Sequence, residues 1–240
     1  MNAFGVADVA MPARMAVQKT SLIDYPGRVS TVLFLPGCNF RCPYCHNPQL
    51  VLPPYAEDLL PVGEVFKFLK SRKNVLTGVV LSGGEPLVHE GLPTLAAAIR
   101  EEGFKVKLDT NGSFPERIEA IEADYIALDV KTAPQTYDRV APDVPGVGKK
   151  VLESLRTIRG LSVPYEIRIT CAPGIVDEES IRQIAELLEP EDRVALQDFR
   201  PQSVLDPRWK DVAPYPESSL NDFADMLASR AASVRIRFSV

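Results

Sequence analysis

The stretch STVLFLPGCNFRCPYCHN (residues 30–47) joins an apolar run to three of the four cysteines of this 240-residue chain. Its first part, STVLFLP, is short, apolar and bounded by turn-forming residues, which predicts a buried strand. Cys38, Cys42 and Cys45 follow at once with the spacing CxxxCxxC. The stretch therefore predicts a strand whose carboxyl end carries a cysteine-lined loop.

Two kinds of metal site compete for these three cysteines. A zinc ion would need His46 or Cys171 as its fourth ligand, but His46 directly follows a cysteine and the sequence has no second knuckle. An iron–sulfur cube is the alternative, because three thiolates can ligate three corner irons and leave the fourth open, as a catalytic centre requires. Cys171 lies within a predicted strand, where cysteine is often a small buried apolar residue. We assign it no role.

Outward from this stretch, strand-like runs alternate with helix-like segments. The later predicted strands are LTGVVLSGG, KVKLDTNG, DYIALDVK, YEIRIT, RVALQDF and VRIRFSV, and the predicted helices begin with VGEVF, LPTLA, PERIE, GKKVL, EESIR and SSLND. Each helix can supply the crossover that a parallel pair of strands requires. Six or seven such units predict an α/β fold with a parallel sheet. Periodicity alone leaves a barrel and a flat doubly wound sheet as alternatives.

Polar, glycine-containing segments occupy the carboxyl ends of the first four predicted strands. They are GCNFRC, SGGEP, DTNG and DVK, in chain order. In parallel α/β sheets and barrels, ligands bind at this edge. The four segments are therefore expected to line one pocket.

Composition and charge exclude several classes of function. The chain has 32 acidic and 27 basic residues, a net charge of -5, and its basic residues are scattered, which argues against a large nucleic-acid surface. No apolar run approaches the roughly 20 residues that cross a bilayer, and the amino terminus does not read as a secretory signal. We expect a cytoplasmic protein with no membrane partner, in which clustered thiols stay reduced.

The cysteine motif and SGGEP together resemble the radical S-adenosylmethionine (SAM) superfamily. CxxxCxxC after the first strand, with Tyr44 before the third cysteine, is similar to its cluster motif, and SGGEP at residues 82–86 is similar to its second signature. The resemblance implies a partial (β/α)6 TIM-like barrel with a parallel sheet. It also implies that Cys38, Cys42 and Cys45 bind a [4Fe-4S] cluster whose open iron binds SAM.

Further stretches narrow the resemblance to activating enzymes of glycyl-radical enzymes. DYPG, CHN, DVK and LQDFRP are similar to segments of that family, and most similar to those of the activating protein of anaerobic ribonucleoside-triphosphate reductase. Pyruvate formate-lyase activating enzymes share the layout. The family's reaction is the reductive cleavage of SAM to a 5'-deoxyadenosyl radical, which removes hydrogen from a glycine of the partner enzyme.

The resemblance also assigns SAM contacts to individual residues, each with a simpler alternative. Tyr44, Cys45 and His46 would contact the adenosyl group, although Tyr44 could be core packing alone. Gly83, Gly84 and Glu85 would approach the methionine end of SAM, whereas glycines also permit tight turns.

Five charged or polar residues on later strands complete the candidate site. Asp109 and Asn111 are candidates for contacts to the SAM ammonium or ribose, or simply form a turn. Asp129 and Lys131 alternate along a strand and face the same side. By resemblance they bind the ribose hydroxyls and the SAM carboxylate, and a mutual salt bridge is the alternative. Arg168 would add a positive group near that carboxylate.

The resemblance implies two partners: a glycyl-radical enzyme, in the first place the large subunit of anaerobic ribonucleotide reductase, and a separate flavodoxin or ferredoxin-type electron donor. A proline-rich segment containing Trp209 is a candidate lid or docking loop. Residues 1–16 are expected to form a loose tail and residues 17–240 a single radical SAM domain. Two other functions stay open: radical chemistry on a small molecule, and a non-enzymatic zinc or iron sensor.

Overall fold

A computed structural model describes residues 11–55 and 57–238 of the chain. Within them, strands and helices alternate after an initial hairpin-like pair. The strands are β1 (Arg14–Ser21), β2 (Ser30–Leu35), β3 (Leu60–Pro61), β4 (Gly78–Gly83), β5 (Lys105–Thr110), β6 (Tyr125–Asp129), β7 (Tyr165–Cys171), β8 (Arg193–Asp198) and β9 (Ser233–Arg237). The helices are α1 (Val62–Ser71), α2 (Leu92–Glu101), α3 (Pro115–Ile118), α4 (Val147–Gly160), α5 (Glu178–Ala185) and α6 (Glu217–Ala228).

All the described strands belong to one sheet with the order β3-β1-β2-β4-β5-β6-β7-β8-β9. From β2 through β9, every neighbouring pair in this order is parallel, whereas β1 is antiparallel to both β2 and β3. Seven parallel strands with intervening helices confirm the predicted α/β class. The linear order leaves the described sheet unclosed, as expected of a partial barrel.

The two faces of the sheet have different chemistry. One face, which we call the outer face, packs Leu81, Leu108 and Leu128 against apolar residues of the helices, such as Leu95 of α2 and Leu155 of α4. The opposite, inner face has a small apolar cluster of Tyr25, Val32, Val80 and Tyr125 at one side, with Phe34 packed against it. Alternate residues of β5 to β7 place charged side chains on the rest of the inner face. The core therefore lies between sheet and helices, and the inner face is free to form sites.

Local sequence explains where several helices begin. The Asp177 side chain caps α5 by accepting a hydrogen bond from Ser180 N at 2.8 Å. Proline occupies the first turn of α2, where its missing N–H removes no helical hydrogen bond. The predicted helix at PERIEAIEA is shorter than expected, because α3 ends at Ile118 and a 3-10 turn follows.

The predicted tail needs a correction. Its first ten residues lie outside the described part of the chain, but Arg14, Met15 and Ala16 already belong to β1. Met15 is fully buried and Arg14 Nη2 donates to Leu59 O at 2.5 Å. The polar residues of β1 hid this strand from the sequence pattern, because pairing with β2 rather than an apolar run stabilises it. Among the described residues, no helix is long and apolar enough to span a membrane.

Candidate active site at the carboxyl ends of the strands

The carboxyl ends of β2 and β4–β8 surround a cavity of about 330 Å³. Every candidate site residue from the sequence lines it. They are Cys38, Cys42, Tyr44, Cys45, His46, Gly83, Gly84, Glu85, Asp109, Asn111, Asp129, Lys131 and Arg168. The structure thus brings the four predicted strand-end segments together as expected from a parallel sheet. We call this space the carboxyl-end cavity.

The three cysteines of the loop after β2 all reach the cavity, but Cys171 does not. Cys171 is fully buried in the core, and its thiol lies 3.9 Å from Ile169 O. Burial raises the pKa of the Cys38 and Cys42 thiols to about 12, and the nearby Lys131 counteracts this in part. Thiolates in this cavity therefore need a strong positive partner such as a metal.

The chemistry of the donor set suits an iron–sulfur cluster. Cys38, Cys42 and Cys45 all line the carboxyl-end cavity, and cysteine thiolates are the ligands that hold such clusters. In an iron–sulfur cube each cysteine binds a different iron, so three cysteines leave the fourth iron open. Among the described residues, no group of three or more His, Cys, Asp or Glu side chains is placed to hold a single metal ion.

Gly83 and Gly84 let the end of β4 lie against the start of the cysteine loop. Gly83 has a φ of 126°, and a Cβ there would lie 2.3 Å from the Leu35 backbone. A Cβ on Gly84 would lie 2.1 Å from Gly37 O. Backbone hydrogen bonds from Gly84 N to Leu35 O and from Glu85 N to Gly37 O, both 2.9 Å, hold the two segments together. The glycines thus position the cysteine loop as well as forming a wall of the cavity.

Glu85 ties this wall to the end of β5. Its fully buried carboxylate accepts hydrogen bonds from Thr110 Oγ1 at 2.8 Å, Asn111 N at 2.6 Å and Leu87 N at 3.0 Å. Burial raises its pKa to about 7, against the opposing effect of these hydrogen bonds. All three donors are uncharged, so the carboxylate is available to a cationic group in the cavity.

The Asn111 amide is already engaged with neighbouring loops. Its Nδ2 donates to Asn39 Oδ1 at 3.0 Å, and its Oδ1 accepts from the Ser113 hydroxyl at 2.6 Å. Asn39 in turn donates to Ser113 Oγ at 2.8 Å. This network connects the cysteine loop to the turn after β5, in addition to any contact with a ligand.

A charged group of four residues forms the opposite wall. Arg168 donates from Nε to Asp129 Oδ1 at 2.7 Å and from Nη1 to Asp109 Oδ2 at 2.9 Å. Lys131 Nζ lies 3.2 Å from Asp129 Oδ2. Burial alone would raise the pKa of Asp129, but Arg168 and Lys131 hold it well below its usual range. The salt bridge considered as an alternative is therefore present, and both of its side chains also face the cavity.

The segment after β8 packs on the cysteine loop. The Trp209 ring lies 5.8 Å from the Tyr44 ring and 5.6 Å from the Phe199 ring, and His46 stacks on Phe199 at 6.4 Å. Asp206 N donates to the carbonyl of the proline between Cys42 and Tyr44 at 2.9 Å. The Tyr44 hydroxyl is buried and has no hydrogen-bond partner within the described ranges. It can therefore bond a group held in the cavity.

Six lining residues lay outside the set of candidates named from the sequence. They are Asp24, Phe40, Asn47, Ser82, Thr110 and Thr170. Thr170 could have been inferred from strand alternation, since it lies two residues after Arg168 on the same face of β7. Gln197, which the sequence suggested as a polar group near the SAM carboxylate, also lines the cavity, and it pairs with Thr170 across β7 and β8. Asp24 comes from the β1–β2 loop and is the first residue of the DYPG segment, whose similarity to the family was the one sequence signal for it. That loop is held by a hydrogen bond from Lys107 Nζ to Asp24 O at 2.7 Å.

Comparison with known proteins gives a consistent family. The sequence profile of the family described as "Radical SAM superfamily" matches residues 32–188 of this chain. A relative from Methanocaldococcus jannaschii named "Putative glycyl-radical enzyme activating enzyme" is 34% identical over 225 residues, which cover 90% of this chain and 92% of the relative. The pyruvate formate-lyase-activating enzyme of Clostridium pasteurianum is 29% identical over 182 residues, covering 72% and 75%.

A solved structure supports the fold. The crystal structure of QueE from Escherichia coli superposes with a TM-score of 0.56 at 13% identity, covering 96% of this chain and 93% of that chain. At this identity the likeness concerns the fold alone. It agrees with a partial barrel of parallel strands.

Proposed function

Because the chain belongs to the radical SAM superfamily, we propose that it is an oxidoreductase that activates a glycyl-radical enzyme by removing hydrogen from a glycine of that enzyme. The observation that carries the proposal is the carboxyl-end cavity, where three cysteines, a glycine-rich strand end and the Asp129–Lys131–Arg168 group meet. The names of the two relatives support the same activity. The cofactors of the superfamily are a [4Fe-4S] cluster and SAM.

The chain's own residues have distinct tasks in this proposal. Cys38, Cys42 and Cys45 would hold the cluster. Once reduced, the cluster would supply the one electron needed to split SAM into methionine and a 5'-deoxyadenosyl radical, and this radical would take one hydrogen atom from the partner's glycine to give 5'-deoxyadenosine and a glycyl radical. The protein orients SAM and keeps water away from it.

The charged residues of the cavity orient the two ends of SAM. Glu85 faces the ammonium, since the three groups that donate hydrogen bonds to its buried carboxylate are all uncharged. Lys131 attracts the SAM carboxylate, and Asp129 accepts hydrogen bonds from the ribose hydroxyls. Arg168 holds Asp129 in place and is itself held by its ion pair with Asp109. The Tyr44 hydroxyl is free to bond the adenosyl group.

The identity of the partner belongs to the proposal. Anaerobic ribonucleoside-triphosphate reductase is the first candidate because DYPG, CHN and LQDFRP are similar to segments of its activating proteins. Pyruvate formate-lyase is the second, because an activating enzyme of that type is among the relatives. A flavodoxin or ferredoxin-type donor in the cytoplasm would reduce the cluster. The single sheet from Arg14 to Arg237 supports a single radical SAM domain.

The first test measures SAM cleavage without a partner. The full chain is reconstituted anaerobically with iron and sulfide, reduced, and given SAM, and 5'-deoxyadenosine is quantified by chromatography. We expect product from the wild type and from Cys171→Ala, whose thiol is outside the cavity, but none above background from Cys42→Ala. A wild-type protein that holds a reduced cluster, visible by electron paramagnetic resonance, and forms no product would contradict the proposal.

The second test identifies the partner. The reduced, SAM-loaded protein is mixed with an anaerobic ribonucleotide reductase large subunit or with a pyruvate formate-lyase, and the glycyl radical is measured by its paramagnetic resonance doublet. A doublet with only one of the two enzymes assigns that partner. SAM cleavage with no doublet from either enzyme would instead favour a small-molecule substrate.

A further inference from the structure

A second cavity lies at the other end of the parallel strands. It has a volume of about 450 Å³ and shares no lining residue with the carboxyl-end cavity. We call it the amino-end cavity, because it is lined by the first residues of β6 and β8, the second of β7, and alternate residues of β9. Its lining residues are Pro26, Tyr125, Glu166, Arg193, Val194, Ala195, Ala232, Ser233, Arg235 and Arg237.

Strand register places three arginines together in this cavity. Arg193 of β8 is opposite Ser233 of β9, and Ala195 is opposite Arg235. Side chains alternate along a strand, so Arg193, Arg235 and Arg237 all project from the inner face of the sheet. Sequence positions more than forty residues apart thus form one basic group.

The positive charge of this group is only partly balanced. Glu166, on the neighbouring strand β7, lies 2.5 Å from Arg237 Nη2 and 3.9 Å from Lys107 Nζ. Arg193 and Arg235 have no ion-pair partner among residues 11–55 and 57–238. The chain as a whole has a net charge of -5. A local excess of positive charge on an acidic protein attracts anions to this cavity.

We propose that the amino-end cavity binds the phosphate groups of a nucleoside phosphate. Guanidinium groups form paired hydrogen bonds with phosphate oxygens, and two arginines without carboxylate partners can contact a multiply charged phosphate from two sides. The Ser233 hydroxyl adds a donor. The volume exceeds what one phosphate needs and falls in the range of small-molecule sites, and Tyr125 supplies an aromatic wall for a base or ribose.

The site requires neither the cluster nor SAM, so its test is independent of the proposed activity. The full chain is titrated calorimetrically with ATP, adenosine and inorganic phosphate, in parallel with the double variant Arg193→Gln/Arg235→Gln. Arg208→Gln is the matched control, because Arg208 is an exposed arginine paired with Asp206 and outside both cavities. Circular dichroism and thermal unfolding verify that the variants fold, and the two single variants replace the double one if it does not.

We expect saturable ATP binding by the wild type and by Arg208→Gln, at least tenfold weaker binding by the double variant, and no binding of adenosine. Inorganic phosphate that binds as tightly as ATP would support the phosphate site and overturn the nucleoside part of the proposal. Equal ATP affinity in the double variant and the wild type would overturn the proposal. Displacement of ATP by SAM would also overturn it, because ATP would then occupy the carboxyl-end cavity.

Discussion

The two ends of the same parallel strands have cavities that are built in different ways. The carboxyl-end cavity is formed largely by loops that follow the strands, with Gly83 and Gly84 allowing two backbones to touch. The amino-end cavity is formed mostly by side chains of the strands themselves, and its lining residues in the described part of the chain include no glycine. Loops can approach a ligand from several directions, whereas strand side chains form one flat wall. The loops of the carboxyl-end cavity therefore suit a metal cofactor, and the arginine side chains of the amino-end cavity suit an anion.

Buried ion pairs connect the two cavities along the inner face of the sheet. Arg168, at the carboxyl-end cavity, binds Asp109, and Lys107 Nζ lies 2.8 Å from the other oxygen of Asp109. Lys107 then approaches Glu166, which binds Arg237 in the amino-end cavity. Positive and negative groups alternate along this line, so each buried charge has an opposite neighbour. Arg193 and Arg235 are the exceptions in the amino-end cavity, since neither has an ion-pair partner among the described residues. For this reason we expect the two cavities to hold different ligands.

The largest expected difference between the cavities concerns iron. Cys45→Ala should reduce iron and sulfide content after anaerobic reconstitution at least about tenfold, because it removes a ligand of the cluster. Cys171→Ala should retain the wild-type content, since its side chain is buried away from both cavities. Metal analysis and visible absorption measure both. Arg193→Gln/Arg235→Gln is the control for the amino-end cavity and should also load normally. An equal loss in Cys171→Ala would make that cysteine a fourth ligand.

The sequence predicts the carboxyl-end cavity, but it has no motif for the amino-end cavity. Cys38, Cys42, Cys45 and the SGGEP segment are close together in the chain or follow strands, so spacing and strand ends were enough. Arg193 and Arg235 belong to no motif, and only the pairing of β8 with β9 brings them together. Strand register depends on packing across the sheet, which local periodicity does not show.

Two parts of the fold were missed for related reasons. β1 and β3 are stabilised by antiparallel pairing at the edge of the sheet, and neither has the continuous apolar pattern of the parallel strands. Asp24 belongs to the DYPG segment, but its place in the carboxyl-end cavity was missed, because its loop reaches the cavity from the β1–β2 connection and is held there by Lys107. Contacts of this kind join residues that are far apart in the sequence, so only the folded structure reveals them.

The next largest effect should be a pH dependence that comes from Glu85. The pKa of this carboxyl rises from 4.5 to about 7 on folding because it is buried. The folded chain therefore holds this proton more tightly, and the free energy of unfolding should fall as pH rises from 4.5 through 7. The gap between the two pKa values corresponds to about 3 kcal/mol. The buried carboxylate of the amino-end cavity differs from Glu85 in its partners: Glu166 is paired with the charged groups of Arg237 and Lys107, whereas the donors to Glu85 are uncharged.

Urea unfolding of the metal-free chain at pH 5, 6, 7 and 8 tests this expectation. Glu85→Gln should lack about 3 kcal/mol of the decline seen in the wild type, whereas Glu64→Gln, on the exposed side of α1, should retain it. Asp129 does not affect this comparison between pH 5 and 8. Its pKa is held low in the folded chain, so its contribution to the free energy of unfolding is lost only in more acidic solution. Identical slopes for Glu85→Gln and wild type would mean that Glu85 is already ionised at pH 5 and that its pKa is not raised on folding.

The smallest effect concerns the backbone contact that distinguishes the carboxyl-end cavity. Gly84→Ala would place a methyl group 2.1 Å from Gly37 O, so the end of β4 and the cysteine loop must separate. We expect a loss of about 2 kcal/mol in unfolding free energy and a lower iron content, because Cys38 moves with Gly37. Gly63→Ala is the matched control, since its Cβ would meet no atom within 4 Å and alanine favours the helix.

Comparison of stability with iron content separates the two roles of Gly84. If Gly84→Ala unfolds at lower urea concentration but the folded fraction binds iron normally, the glycine serves packing only, and the cysteine loop holds its geometry independently. If both quantities fall together, contact between the two backbones sets the positions of the cysteines. A Gly84→Ala variant as stable as wild type would show that the end of β4 and the cysteine loop can separate without loss of unfolding free energy. The absence of a side chain at Gly84 would then matter only for the approach of a ligand. The two hydrogen bonds of 2.9 Å across this contact favour the joint loss.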